Sequence, residues 1–317
     1  MKSLQILITV TALTLTSCGA DRRQPAPSVT ETTDAINATM EELPLPAVPG
    51  SLVDPADRAT YIVEHFWDDM DFGDTIRSLD EAFMEQNFAN FANLFPYVDA
   101  STAESSIKSL MDAAAKNRKA YNMLADIADK YLYDPNSPMM DEEAYIMFLK
   151  AITESDFMDR DRRLRFESQL ADAMKNRRGS KATDFRFIDS KGKEASLYST
   201  ADGKSYRLMM FYDPDCDVCK STKEMLAGSG IINNAIASGR LKVVAVYSDG
   251  DMEVWEKSKN DLPEGWLSAF SPEGAVDRDD VYVIRATPTL YLLAPDNTVV
   301  LKDARADEII SYLVGIR

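Results

Sequence analysis

The segment Phe211-Tyr212-Asp213-Pro214-Asp215-Cys216-Asp217-Val218-Cys219-Lys220 constrains this chain more than any other. An apolar run, Leu208 to Tyr212, leads directly into two cysteines in C-x-x-C spacing. That order predicts a buried strand, a tight turn and a helix whose first turn carries the pair. A helix N-terminus offers unpaired N–H groups and partial positive charge, which favour a thiolate at Cys216. Cys219, one turn later, lies in reach to resolve a mixed disulfide. The expected chemistry is thiol–disulfide exchange, with the dithiol itself as the redox group and no metal or organic cofactor.

Three carboxylates, Asp213, Asp215 and Asp217, crowd Cys216, against one nearby cation, Lys220. Like charge disfavours a thiolate. Asp215, Asp217 and Lys220 are therefore expected to tune the pair, and aspartates that prevail over the helix terminus would make the couple reductant-leaning.

The chain has 317 residues, enough for two ordinary domains. Its formal net charge of -17 argues against nucleic acid as a partner, and against an anionic membrane surface as an electrostatic target. Of the three cysteines, the one outside the pair is Cys18. It follows a short positive start, Met1-Lys2, and a largely apolar run from Leu4 to Leu15 that is too short to span a bilayer. Leu15-Thr16-Ser17-Cys18 resembles a bacterial lipobox. That resemblance implies a signal peptide over residues 1–17, cleavage before Cys18 and acylation of its sulfur and new N-terminus. The membrane partner is then reached through the lipid anchor alone. Gly19 after the cysteine implies, by analogy with Gram-negative sorting, the outer membrane of the cell envelope, facing periplasm or cell surface.

Residues 18–50 are rich in Pro, Ala, Thr, Ser and Glu and are expected to be a flexible tether. Residues 51–178 are expected to form an all-α domain. Asp54-Pro55 starts one helix and Asp80-Glu81 another, the latter carrying Phe83, Phe88, Phe91 and Phe95 at the spacing of a buried face. One helix is predicted over Ser105–Tyr133, then two more over Asp141–Thr153 and Asp159–Asn176. From residue 179 to 317 strands alternate with helices: Thr183–Ile188, Arg207–Tyr212, Leu241–Tyr247, Thr289–Leu293 and Thr298–Lys302 read as strands. Thr222–Ala237, Asp251–Lys259 and Asp307–Val314 read as helices. This predicts an α/β domain with partly parallel pairing.

The C-terminal part resembles the thioredoxin fold, in its membrane-associated ResA/TlpA-like branch. Three landmarks carry the likeness: Ala182-Thr183-Asp184-Phe185 with the turn Asp189-Ser190-Lys191-Gly192-Lys193; the pair Cys216 and Cys219; and Ala286-Thr287-Pro288-Thr289-Leu290. The resemblance implies a cis Thr287–Pro288 bond beside the pair, with the Thr287 backbone exposed to an extended substrate. Where many members carry Trp before the first cysteine and Pro within the pair, this chain has Asp215 and Asp217-Val218. The whole layout is similar to Gram-negative lipoproteins in which a helical domain of unknown function precedes a thioredoxin-like domain. Protein thiols and disulfides of the envelope are the implied partners, along with an upstream electron donor.

Other constellations carry less. Zinc needs four ligands, and no second cysteine pair or nearby histidine completes a set around Cys216 and Cys219; His65-Phe66-Trp67 reads as a helix face. A thiol peroxidase of the same fold would place a hydroxyl three residues before the cysteine, where Asp213 stands. The acidic groups Asp68-Asp69-Asp71-Asp74 and Asp277-Asp279-Asp280 lack the Ca²⁺-loop pattern. Two readings stay open: a membrane-anchored oxidoreductase, or a partner-binding lipoprotein whose C-x-x-C is a structural staple.

Overall fold

Aspartates start most of the helices in the first half of the chain. A computed structural model describes residues 42–274, 276 and 281–316; Cys18, the expected signal segment and the acidic run at 277–280 lie outside them. Asp54, Asp74, Asp80, Asp99 and Asp141 cap α1 (Pro55–His65), α2 (Thr75–Ser78), α3 (Glu81–Ala92), α4 (Ala100–Ala114) and α6 (Glu142–Thr153). Each side chain accepts a hydrogen bond from a backbone N–H of the first turn, worth about 1 kcal/mol apiece. Asn117 does the same for α5 (Arg118–Leu132), and α7 (Arg160–Met174) completes the helical region.

The cap at Asn117 corrects one expectation. Ser105–Tyr133 is not one helix, because the Asn117 side chain takes the N–H groups of Lys119 and Ala120 and begins a new one. A second correction concerns the tether, which ends earlier than residue 50. Leu43 is buried in the helical core, and its N–H donates to the buried Asn87 side chain at 2.8 Å. Phe88, Phe91, Tyr121, Leu124, Phe148 and Phe166 are all sealed in that one core.

After a break at Gly179 the chain forms β1 (Arg186–Asp189), β2 (Glu194–Ser196), β3 (Tyr206–Tyr212), α8 (Asp217–Gly228), α9 (Gly230–Ala237), β4 (Leu241–Tyr247), α10 (Met252–Ser258), β5 (Leu267–Phe270), β6 (Thr289–Leu293), β7 (Val299–Lys302) and α11 (Ala306–Gly315). The seven strands make one mixed sheet in the order β2-β1-β5-β4-β3-β6-β7. β3 lies inside it, parallel to β4 along its whole length and antiparallel to β6. Successive β3 side chains enter opposite layers. Leu208 and Met210 join one core with Leu226 and Ile309; Met209 and Phe211 join another with Phe185 and Tyr282. Strand β5 carries no apolar run that marks it; its Ser268 accepts the Trp255 indole N–H at 3.0 Å. The helix expected over Thr222–Ala237 begins earlier, at Asp217, and is interrupted at Ser229, whose side chain caps α9.

Among the described residues, the helical region and the sheet region share no hydrophobic cluster. They pack as one compact unit through polar contacts. Lys302, at the end of β7 and nearly fully buried, donates to the carbonyls of Ala173 and Lys175 and pairs with Glu142 at 2.7 Å. Arg285 lies over the Tyr133 ring, donates to the Tyr133 carbonyl and pairs with Asp303 at 2.6 Å. Asn176 donates to Val281 O and accepts from Thr183 N, fixing the chain where one region passes into the other.

Candidate active site

Strand β3 delivers the chain to a turn at residues 213–216. The Asp213 side chain accepts the Asp215 N–H at 2.7 Å, and its carbonyl accepts the Cys216 N–H at 3.3 Å. The turn leaves Cys216 as the N-cap of α8, with extended backbone angles. Its sulfur accepts the Cys219 N–H at 3.2 Å, the bond a serine or aspartate cap would make.

The Thr287–Pro288 peptide is cis. It lies just before β6, which is hydrogen-bonded to β3, so the sheet brings this loop beside the turn. The Cys216 thiol donates to the Thr287 carbonyl at 3.4 Å. Cys216, Cys219, Thr287 and Pro288 are thus brought together from sequence positions some seventy residues apart.

The two sulfurs differ sharply. Cys216 is partly exposed, whereas Cys219 is 2% exposed. Burial opposes ionisation of Cys216, yet the Cys219 thiol and N–H, the Thr287 side chain and the Val218 N–H together prevail and lower its pKa. Burial, followed by the bond its own proton makes to Cys216, pushes Cys219 up to about 12. Both are thiols here, one poised to ionise and one protonated.

The aspartates around Cys216 differ in their surroundings. Asp217 is 97% exposed and pairs with Lys220 at 3.3 Å. The Asp213 carboxylate is engaged in the turn, and Asp215 is exposed. The leading influences on Cys216 are burial and hydrogen bonds, and their balance lowers its pKa. Water screens the exposed carboxylates, while the Cys219 N–H touches the sulfur.

A cleft of about 580 Å³ runs from this site between the two regions. Thr287, Pro288, Val218 and Met225 line one side, and the loop between α5 and α6, including Pro138 and Met140, lines the other. No local signal in the chain marks this second wall, nor Arg285 and Lys302, whose partners in the helical region stand more than a hundred residues away. Cys216, Cys219 and the cis-proline loop on this sheet define a thioredoxin-like protein.

The chain belongs to the family described as "Domain of unknown function (DUF5106)", whose model matches residues 17–176. It is similar to a thioredoxin-like protein from Bacteroides caccae, at 34% identity and a TM-score of 0.83, with 87% of this chain and 99% of that one covered. A crystallised C-terminal domain of an uncharacterized protein from Bacteroides fragilis is 34% identical, with 44% and 98% covered and a TM-score of 0.42. The thioredoxin domain of a thiol-disulfide oxidoreductase from Bacteroides vulgatus is 26% identical, with 44% and 96% covered and a TM-score of 0.38. No curated protein matches the chain.

Proposed function

We propose that this protein is a thiol–disulfide oxidoreductase acting on protein disulfides. The observation that carries the reading is the asymmetry of the pair: a partly exposed Cys216 with a lowered pKa, and a buried Cys219 held up to about 12. A nucleophile has to be accessible and ionised, and a resolving thiol has to stay protonated until it is needed.

In the reducing direction, the Cys216 thiolate attacks one sulfur of a substrate disulfide. A mixed disulfide forms, and one substrate thiolate leaves and takes a proton. Cys219 then loses its proton and attacks the Cys216 sulfur. The second substrate thiolate leaves, and the enzyme holds a Cys216–Cys219 disulfide. Two electrons have passed to the substrate, and an external dithiol donor restores the enzyme. The same steps reversed oxidise a substrate dithiol.

We place the enzyme in the envelope of a Gram-negative bacterium, anchored through acylated Cys18 in the outer membrane. The lipobox-like segment Leu15–Cys18 and the polar stretch after it support this. Cys18→Ala is expected to move the protein from the membrane to the soluble envelope fraction; unchanged fractionation would overturn the anchor.

The redox reading is tested by titrating the pair against redox buffers, with alkylation and a mass readout. A midpoint between about −120 and −270 mV supports exchange chemistry. One locked below about −300 mV marks a structural staple and a binding protein instead. Cys219→Ser should trap mixed disulfides through Cys216, and Cys216→Ser should lower exchange by on the order of 10³-fold or more.

A further inference from the structure

Apolar side chains are exposed in an unusual place on α8. Val218 and Met225 are 62% and 55% exposed, and both line the cleft that begins at Thr287 and Pro288. Across from them stand Pro138 and Met140 of the helical region. Many of the charges around this cleft are already committed. Glu142 is paired with Lys302, Arg285 with Asp303, and Arg305 with Asp307. Arg178 also lines the cleft, and the exposed apolar side chains nearest the start of α8 are Val218 and Met225.

The reach of the cleft says what kind of molecule fills it. Met225 lies nine residues after Cys216, about 13 Å along the helix axis. An occupant joined to the sulfur of Cys216 and still touching Met225 spans about four residues of extended chain. Thr287 lies at the start of this path. Its carbonyl is occupied by Cys216, while its N–H has no hydrogen-bond acceptor among the described residues. An extended backbone has the carbonyl that this N–H lacks.

We propose that the helical region supplies the second wall of a substrate channel, which takes the extended, apolar polypeptide segment flanking a substrate cysteine and seats a side chain among Met140, Val218 and Met225. The inference rests on the redox reading above and names the substrate class of the same site. On this proposal, the helical region of this family selects which protein disulfides reach Cys216.

The test compares three disulfides on the full chain from residue 19 onward. One is a small symmetric aromatic disulfide with no peptide backbone. The others are two peptides of equal length joined through one cysteine to glutathione, with either two leucines or two aspartates next to that cysteine. The wild type is expected to favour the leucine peptide by about tenfold in kcat/KM. Met140→Asp should bring the ratio of the two peptide rates close to one, each normalised to the small disulfide in the same variant. Met225→Asp, at an exposed position on the other wall, should do the same and covers a Met140→Asp chain that fails to fold. Equal peptide rates in the wild type, or an unchanged ratio in both variants, would overturn the channel while leaving the exchange reading intact. A wild type inert toward all three disulfides would sink the exchange reading and the channel with it.

Discussion

The helical region and the sheet region differ in what they bury. Among the described residues, the most deeply buried polar side chains of the helical region are uncharged, Ser78, Asn87, Thr102 and Ser106 among them, while the Glu142 side chain keeps 12% exposure. The sheet region buries two cations, Arg207 and Lys302. Arg207 is held by the carbonyls of Leu197 and Ala294 inside its own region. Lys302 reaches out instead, to the C-terminal carbonyls of α7 and to Glu142. Each region therefore closes its own apolar core, and the join is made of charge and hydrogen bonds. Apolar surfaces tolerate sliding, but a buried ion pair needs its partner in one place, and losing it leaves an uncompensated charge. Arg285, two residues before Thr287, belongs to the same join. The seam that fixes the helical region thereby also holds the cis-proline loop.

Lys302→Met strikes the seam hardest. It strands Glu142 in a low-dielectric site, and a cost of about 3–5 kcal/mol is expected, read as a drop in thermal midpoint. Adding Glu142→Gln should recover part of that loss, because no buried carboxylate then lacks a partner. If Lys302→Met proves neutral, the two regions are joined by something other than this pair.

Arg285→Met should cost less, about 1.5–3 kcal/mol, since Arg285 is itself 15% exposed where Lys302 is 2%, so water reaches its pair more readily. Its sharper readout is the redox site. A loosened loop moves the Thr287 carbonyl away from Cys216, so the pH profile of Cys216 alkylation should shift while the Phe88-centred helical core keeps its protection from hydrogen exchange. An unchanged profile would detach the seam from the chemistry.

The pH dependence of stability isolates Glu142. Burial raises its pKa to about 7, with Lys302 and Arg285 opposing and Asp303 adding to the rise. A carboxyl that holds its proton more tightly folded than unfolded contributes fully below its unfolded value of 4.5. That contribution is lost as pH climbs through about 7. The stability difference between wild type and Glu142→Gln should therefore fall over that window and stay level above it. A flat difference would place Glu142 in a wetter site than its 12% side-chain exposure implies.

Much of the fold was legible because its signals are local. The apolar run before Cys216, the Asp-Pro start of α1 and the β-branched β4 each announce themselves within a few residues. Helix boundaries were misplaced where a polar cap competes with an apolar period: Asn117 and Ser229 interrupt patterns that otherwise read straight through. The seam was illegible for a different reason. Glu142, Arg285 and Lys302 look like ordinary surface charges at their own positions, and their meaning lies in contacts across as many as 160 residues. The aspartates beside Cys216 pose the opposite problem. Proximity in sequence suggests an influence on Cys216, yet Asp217 stands 97% exposed, while the Cys219 N–H that touches the sulfur follows from the helix start that the cysteine pair marks.

Asp217→Asn is the smallest of these tests and bears on that last point. Asp217 starts α8, where a negative charge favours the helix but disfavours a neighbouring thiolate. It stands 97% exposed, with Lys220 as its partner. Through water and salt, its removal should raise the thiolate fraction of Cys216 by about twofold at most. The rate of alkylation by a neutral reagent, measured against pH below the Cys216 midpoint, reports this directly. A tenfold increase would restore the aspartates as the controlling groups, and with them the reductant-leaning couple. A change of twofold or less would leave control with the backbone at the start of α8, where a substitution of Asp217 or Lys220 hardly reaches and a shift of the Thr287 loop does.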